Sequence, residues 1–201
     1  MTSWLAPVPA SLRLLFFPVV ALAGLILLRV SAPPPEDFDL GRVFFWILVT
    51  LVAAALPVRL PGGVHATITT APLLAAMFDP GISNPFGVCW VAFIGTFEPR
   101  DLRGEPKWYG TLFNKADFVV SAFAGWAVLA FMNGVVRTND PFSVMAQIVA
   151  AGATFAVVNN GLSILANSLK TGNPLSRVWA LSVSNIAIGL VSQVPLGWLM
   201  S

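Results

Sequence analysis

Long apolar runs, separated by short polar breaks rich in proline and glycine, make up most of this sequence. A helix needs about 20 mostly apolar residues to cross the hydrocarbon of a bilayer. The run at residues 11–30 has that length, with Arg13 at its start and Arg29 at its end. It exceeds the core of a signal peptide, and Pro33 and Pro34 would crowd cleavage after Ala32, so it reads as a retained helix. A stiff polar connector, Ala32-Pro-Pro-Pro-Glu-Asp-Phe-Asp39, leads to a second helix over 41–56. Pro57-Val-Arg-Leu-Pro-Gly-Gly63 then ends that helix, as a hinge or a tight turn.

The next two apolar runs are short. Residues 66–78 contain Pro72, residues 79–85 form a turn, and residues 86–97 form the second run. At about 1.5 Å per residue, such a piece reaches only about 20 Å of the roughly 30 Å of hydrocarbon. The two are either short tilted spans or a re-entrant pair, and both choices return the chain to the side it left. The most polar segment, 98–109, precedes long helices predicted over 111–136 and 142–168. A polar loop at 169–177 and a last helix from Val178 complete the pattern. The predicted class is all-α: a polytopic membrane helix bundle of about seven membrane segments, with a short helical or re-entrant pair at 66–97. Residues 1–201 form one membrane-embedded domain. No charged residue follows Arg177, so a continuation beyond residue 201 is expected.

Composition agrees. Hydrophobic residues are 57% of the chain, charged residues 10%, and mean hydropathy is +0.81. A soluble domain carries about 25% charged residues; here there is too little polar side chain to cover a globule, and the surplus must face lipid. A net charge of +2 without a basic cluster argues against nucleic acid as a partner. The single Cys89 can form no internal disulfide. With the N-terminus in the cytoplasm, eight of the eleven Lys and Arg residues fall inside: Arg13, Arg59, Arg100, Arg103, Lys107, Lys115, Lys170 and Arg177. Only Arg29, Arg42 and Arg137 fall outside, which favours that orientation. Trp108, Tyr109 and Trp179 flank the inside loops, where amphipathic rings favour the headgroup layer.

Catalytic motifs are nearly absent. There is no phosphate-binding GxxxxGK[ST], no HExxH and no GxSxG. The only histidine, His65, is followed by Ala66, and one His with one Cys does not assemble a metal site. We therefore expect no metal, no cofactor and no catalysis within these residues.

Polar residues inside the spans are the better lead, because polarity in lipid is costly and turns toward the bundle interior. Asn114, Asp117, Ser121 and Gly125 share one helical face. Asn160, Ser163 and Asn167 share another, with Asn159 adjacent, and Ser182, Asn185, Gly189 and Ser192 form a third stripe. If the three faces converge, they make a pocket for a small hydrogen-bonding ligand; the commoner role of such residues, and the preferred reading, is as interhelical contacts. Asp117 calls for a partner, with Lys115, Arg59 or Arg103 in reach and a structural ion pair preferred over a proton relay. In the 98–107 loop, interleaved Glu98, Asp101 and Glu105 weigh against an anionic-lipid contact and favour a loop packed on its own helices.

Leu56-Pro-Val-Arg-Leu-Pro-Gly-Gly63 and the Thr-rich stretch after it resemble the multi-pass N-terminal sensory region of bacterial cyclic-di-GMP signalling proteins, mainly of the HD-GYP type and less often of the GGDEF type. Lys107-Trp-Tyr-Gly-Thr-Leu-Phe-Asn114, Val158-Asn-Asn160 and Pro174-Leu-Ser-Arg-Val-Trp179 continue the resemblance from Phe44 to the end. It implies a non-catalytic sensory and anchoring module of the bacterial inner membrane. Its partners would be the lipid bilayer and an unknown small-molecule or physical cue, and a homodimer fits such a parent. The regulated output domain, a cyclic-di-GMP phosphodiesterase or cyclase, would follow the chain. Lys115 and Asp117 depart from the small and amide residues expected there. The alternative is the membrane subunit of a vitamin-type uptake system. Those subunits carry an Ala-x-x-x-Ala motif on the first helix, and residues 14–30 have none.

Overall fold

The computed structural model describes residues 7–32, 39–59, 65–82, 84–135, 140–180, 195–197 and 199–200. Among the described residues the bounded elements are, in chain order, α1 Ala10–Val30, α2 Leu40–Ala55, β1 Pro57–Arg59, β2 His65–Thr67, α3 Thr70–Phe78, α4 Pro85–Gly95, α5 Pro99–Leu102, α6 Trp108–Val135 and α7 Pro141–Thr171, and residues 175–180 are helical as well. Among the described residues the bundle is all-helical apart from β1 and β2, which pair antiparallel with Val58 opposite Ala66. Of the hinge or turn expected at 57–63, Pro57–Arg59 is the first strand of that hairpin and the rest lies outside the described residues.

Local chemistry sets the helix ends. Asp39 caps α2 by accepting the Arg42 backbone N–H at 3.1 Å. Asn84 caps α4 through the Gly87 N–H at 2.8 Å, with Pro85 at the first helical position, where its missing donor costs nothing. Asp140 accepts the N–H groups of Phe142 and Ser143 at the start of α7. At the other end α7 runs past Ser168, where the sequence suggested it would stop, to Thr171. Gly172 ends it in the left-handed conformation at φ 70°.

Helices α1, α6 and α7 are long and apolar enough to cross a membrane, and α2 is a shorter apolar helix. Their outward faces carry large apolar side chains: Leu14, Phe17, Leu25 and Leu28 on α1, and Phe44, Phe45 and Val52 on α2. Charged and amide groups gather inside or at the ends. That inversion of the soluble pattern suits a lipid surround.

The short pair occupies the interior. Every residue of α3 from Ala71 to Met77 is buried, so no side of this helix faces out. At nine and eleven residues, α3 and α4 extend about 14 and 16 Å, well short of the hydrocarbon. Gly87 lies against Val43 and Gly95 against Thr50, so α4 runs parallel to α2, and α3 carries the chain back between them. Among the described residues of the last segment, Gly197 is seated on α3, where an added Cβ would sit 2.8 Å from Leu74 Cβ.

Connections thus fall into two groups. One end holds the start of α1, α5 and the end of α7, joined by the Ser11 hydroxyl donating to the Leu169 carbonyl at 2.8 Å and by the edge-on Phe16–Trp108 ring pair. The other holds the end of α1, the start of α2 and the α3–α4 turn; near it the Trp90 indole N–H donates to Ser31 at 3.0 Å. This is the alternation the sequence implied.

Small residues permit the close approaches. At Gly95 an added Cβ would stand 2.7 Å from Thr50 Cβ, an atom that cannot swing away. Gly95→Ala should cost about 1–3 kcal/mol by overpacking, read as a lower midpoint in detergent unfolding, whereas Gly134→Ala, which meets nothing within 4 Å, should leave the midpoint unchanged.

Candidate functional site

Two interior carboxylates organise the end where α5 lies. Asp101, on α5, is a hub. Its Oδ2 accepts the Glu98 backbone N–H at 3.0 Å and its Oδ1 accepts the Thr111 hydroxyl at 3.0 Å. Oδ2 also stands 3.0 Å from Lys115 Nζ, with side-chain exposures of only 1% for the lysine and 8% for the aspartate. The same ammonium donates to the Thr96 carbonyl and lies 4.5 Å from the Phe97 ring centroid. One buried lysine therefore ties the exit of α4 and the α5 segment to α6. Sequence reasoning anticipated that the loop would pack on its own helices but missed this pair. The available signal was a lysine in an apolar helix, which needs a counter-charge, with three acidic residues just before that helix.

The second carboxylate is Asp117, which is fully buried. Its Oδ1 accepts the Ser121 hydroxyl at 3.1 Å, one turn along α6, and its Oδ2 accepts the Ser163 hydroxyl of α7 at 3.0 Å. The Asn159 amide lies beside the same carboxylate. No cation pairs with it among the described residues: of the three partners expected, Lys115 is held by Asp101 and Arg103 stands 3.7 Å from Glu105. The side chain of Arg59 lies outside the described residues.

Above Asp117 opens a cavity of about 610 Å³, between the α5 segment, α6 and α7, with Leu12 of α1 on its wall. Asn114, Ser163 and Asn167 line it, together with Tyr109 and Lys170. Ser163 thus belongs to both features: it lines the cavity and holds the carboxylate below it. The structure brings Asn114, Asp117, Ser121, Ser163 and Asn167 into one connected region. It leaves Asn160 aside, its amide donating to the Ala156 carbonyl of its own helix at 2.7 Å. Ser182 and Asn185 lie outside the described residues, so the convergence rests on two helices.

At the opposite end Asp79, after α3, accepts from Trp46 Nε1 at 2.8 Å, from the Gly81 N–H at 2.8 Å and from Arg42 at 2.9 Å. Burial alone would raise its pKa, but the Trp46, Gly81 and Arg42 contacts outweigh burial and hold it below the usual 3.8. Asp101 behaves alike: burial pushes up, while the Glu98 amide, Lys115 and Thr111 together bring it lower. A depressed folded-state value stabilises above the unfolded value and is lost as pH falls through the folded one. Thermal unfolding in detergent should therefore show stability retained above about pH 4 and declining below it. Asp79→Asn should flatten the decline.

Among the described residues no three His, Cys, Asp or Glu side chains gather to hold a metal. What the bundle offers is a polar cavity over a buried hydrogen-bonded joint, walled by helices with apolar outer faces. A family model named MASE9 matches residues 11–200. The chain belongs to the MASE9 family. It is a membrane-associated sensory domain, and membership covers the whole bundle from α1 to the seat of Gly197 on α3. No curated protein and no solved structure matches this MASE9 domain.

Proposed function

We propose that this MASE9 domain is a non-catalytic sensory module of the bacterial inner membrane, with its N-terminus in the cytoplasm, regulating a C-terminal cyclic-di-GMP output domain of the HD-GYP or GGDEF type. The observation that carries the sensory mechanism is the Ser163–Asp117–Ser121 joint beneath the cavity. A cue that occupies the cavity, or alters the packing around it, acts on Ser163 and so on the contact between α6 and α7. The signal is then a population shift between two arrangements of those helices, passed to the segment that follows.

The orientation rests on the eight basic residues assigned to one side against three on the other. Because the single native thiol, Cys89, is buried, introduced cysteines report sidedness cleanly. Leu40→Cys should react with a membrane-impermeant maleimide in intact cells, and Leu102→Cys only after permeabilisation; both native side chains are exposed, at opposite ends. The reverse pattern would invert the assignment. The output is tested by reading the gene onward from the Ser201 codon. A further span followed by an HD-GYP or GGDEF domain is expected; an immediate stop codon would instead favour the uptake-subunit reading.

A further inference from the structure

Of the four charged residues that line the cavity, all but one are ion-paired. Arg100 pairs with Glu98, Asp101 with Lys115, and Glu105 with Arg103. Lys170, near the end of α7, lines the cavity and has no ion-pair partner among the described residues.

The uncharged lining has the same bias. Tyr109 is buried, at 3% exposure, yet its hydroxyl makes no hydrogen bond among the described residues. A buried phenol ordinarily has a partner. The side-chain amides of Asn114 and Asn167 likewise donate to no described acceptor. An unmatched ammonium, a phenol and two amides supply donors to the lining, alongside the apolar Leu12 and Phe113. About 610 Å³ is within the size range of pockets for small organic ligands.

We propose that this cavity binds an organic phosphate, its oxygens taken by Lys170, Tyr109, Asn114 and Asn167 and its organic part resting on Leu12 and Phe113. The phosphate has two possible sources, an anionic phospholipid headgroup at this end of the bundle or a soluble phosphate ester. The assignment deepens the sensory reading and rests on it for the ligand's role as the cue; binding itself is measured independently of any output.

The test uses the purified chain in detergent micelles, titrated calorimetrically with glycerol 3-phosphate, and the chain in nanodiscs with and without phosphatidylglycerol, with retained lipid read by native mass spectrometry. Lys170→Gln and Tyr109→Phe should each weaken binding about tenfold, the loss of one strong hydrogen bond to a charged group. Arg177→Gln, at the same end but outside the cavity lining, should leave it unchanged. Lys170 is exposed, so its variant tests binding without disturbing the fold. Binding of glycerol 3-phosphate that is lost in these variants assigns the soluble source; selective phosphatidylglycerol retention lost in the same variants assigns the lipid. Binding of neither probe, or equal weakening by Arg177→Gln and Lys170→Gln, overturns the proposal.

Discussion

Lys115→Met should cost this domain about 3–5 kcal/mol of stability, because it leaves the Asp101 carboxylate charged and buried with no cation beside it. A surface pair would contribute little, but here both side chains are almost wholly enclosed. The variant also removes the donor to the Thr96 carbonyl and the ammonium over the Phe97 ring, so α4 and α6 lose their shared anchor. Chemical unfolding in mixed micelles gives the measurement. Adding Asp101→Leu to the variant should restore part of the loss by removing the stranded charge. Recovery stays partial, since Asp101 also accepts from Thr111 and from the Glu98 backbone. A cost under about 1 kcal/mol would mean that water reaches the pair.

The second large effect is on signalling. Asp117→Leu deletes the acceptor shared by Ser121 and Ser163 while placing an apolar residue where the bundle is apolar. The Ser163 bond crosses between helices, and one such hydrogen bond within a membrane bundle is worth about 0.6–2 kcal/mol; about 1.4 kcal/mol shifts a two-state equilibrium tenfold. The variant should fold and reach the membrane yet lock the output at one level. Asp117→Asn keeps one acceptor oxygen and should fall between. Asn160→Leu should leave signalling near wild type, because that amide bonds its own helix.

Much of this arrangement could be read from the sequence, and the failures have physical reasons. Lengths of apolar run delimit α1, α2, α6 and α7 to within a few residues, since lipid tolerates only unbroken helix. The stripes on α6 and α7 identified the helix faces that meet. The phase on α7 was less certain: Asn160 and Ser163 are spaced i, i+3, and Asn159 and Ser163 i, i+4, and both spacings put two residues on one face. Packing chose Asn159. The burial of α3 was invisible because an all-apolar helix reads the same against lipid as against protein. The hairpin of Pro57–Arg59 with His65–Thr67 was invisible because three residues are too few to show a period of two. The partner of Lys115 lay in a loop, whose path no helical spacing describes. The stripe through Ser182 and Asn185 lies outside the described residues.

The most direct test of the central claim is cellular cyclic-di-GMP, measured in cells carrying wild-type or Asp117→Leu protein at equal membrane abundance, across changes of growth condition. The account predicts a severalfold difference in level and loss of the response to condition in the variant. Identical levels and identical responses in the two strains would contradict it.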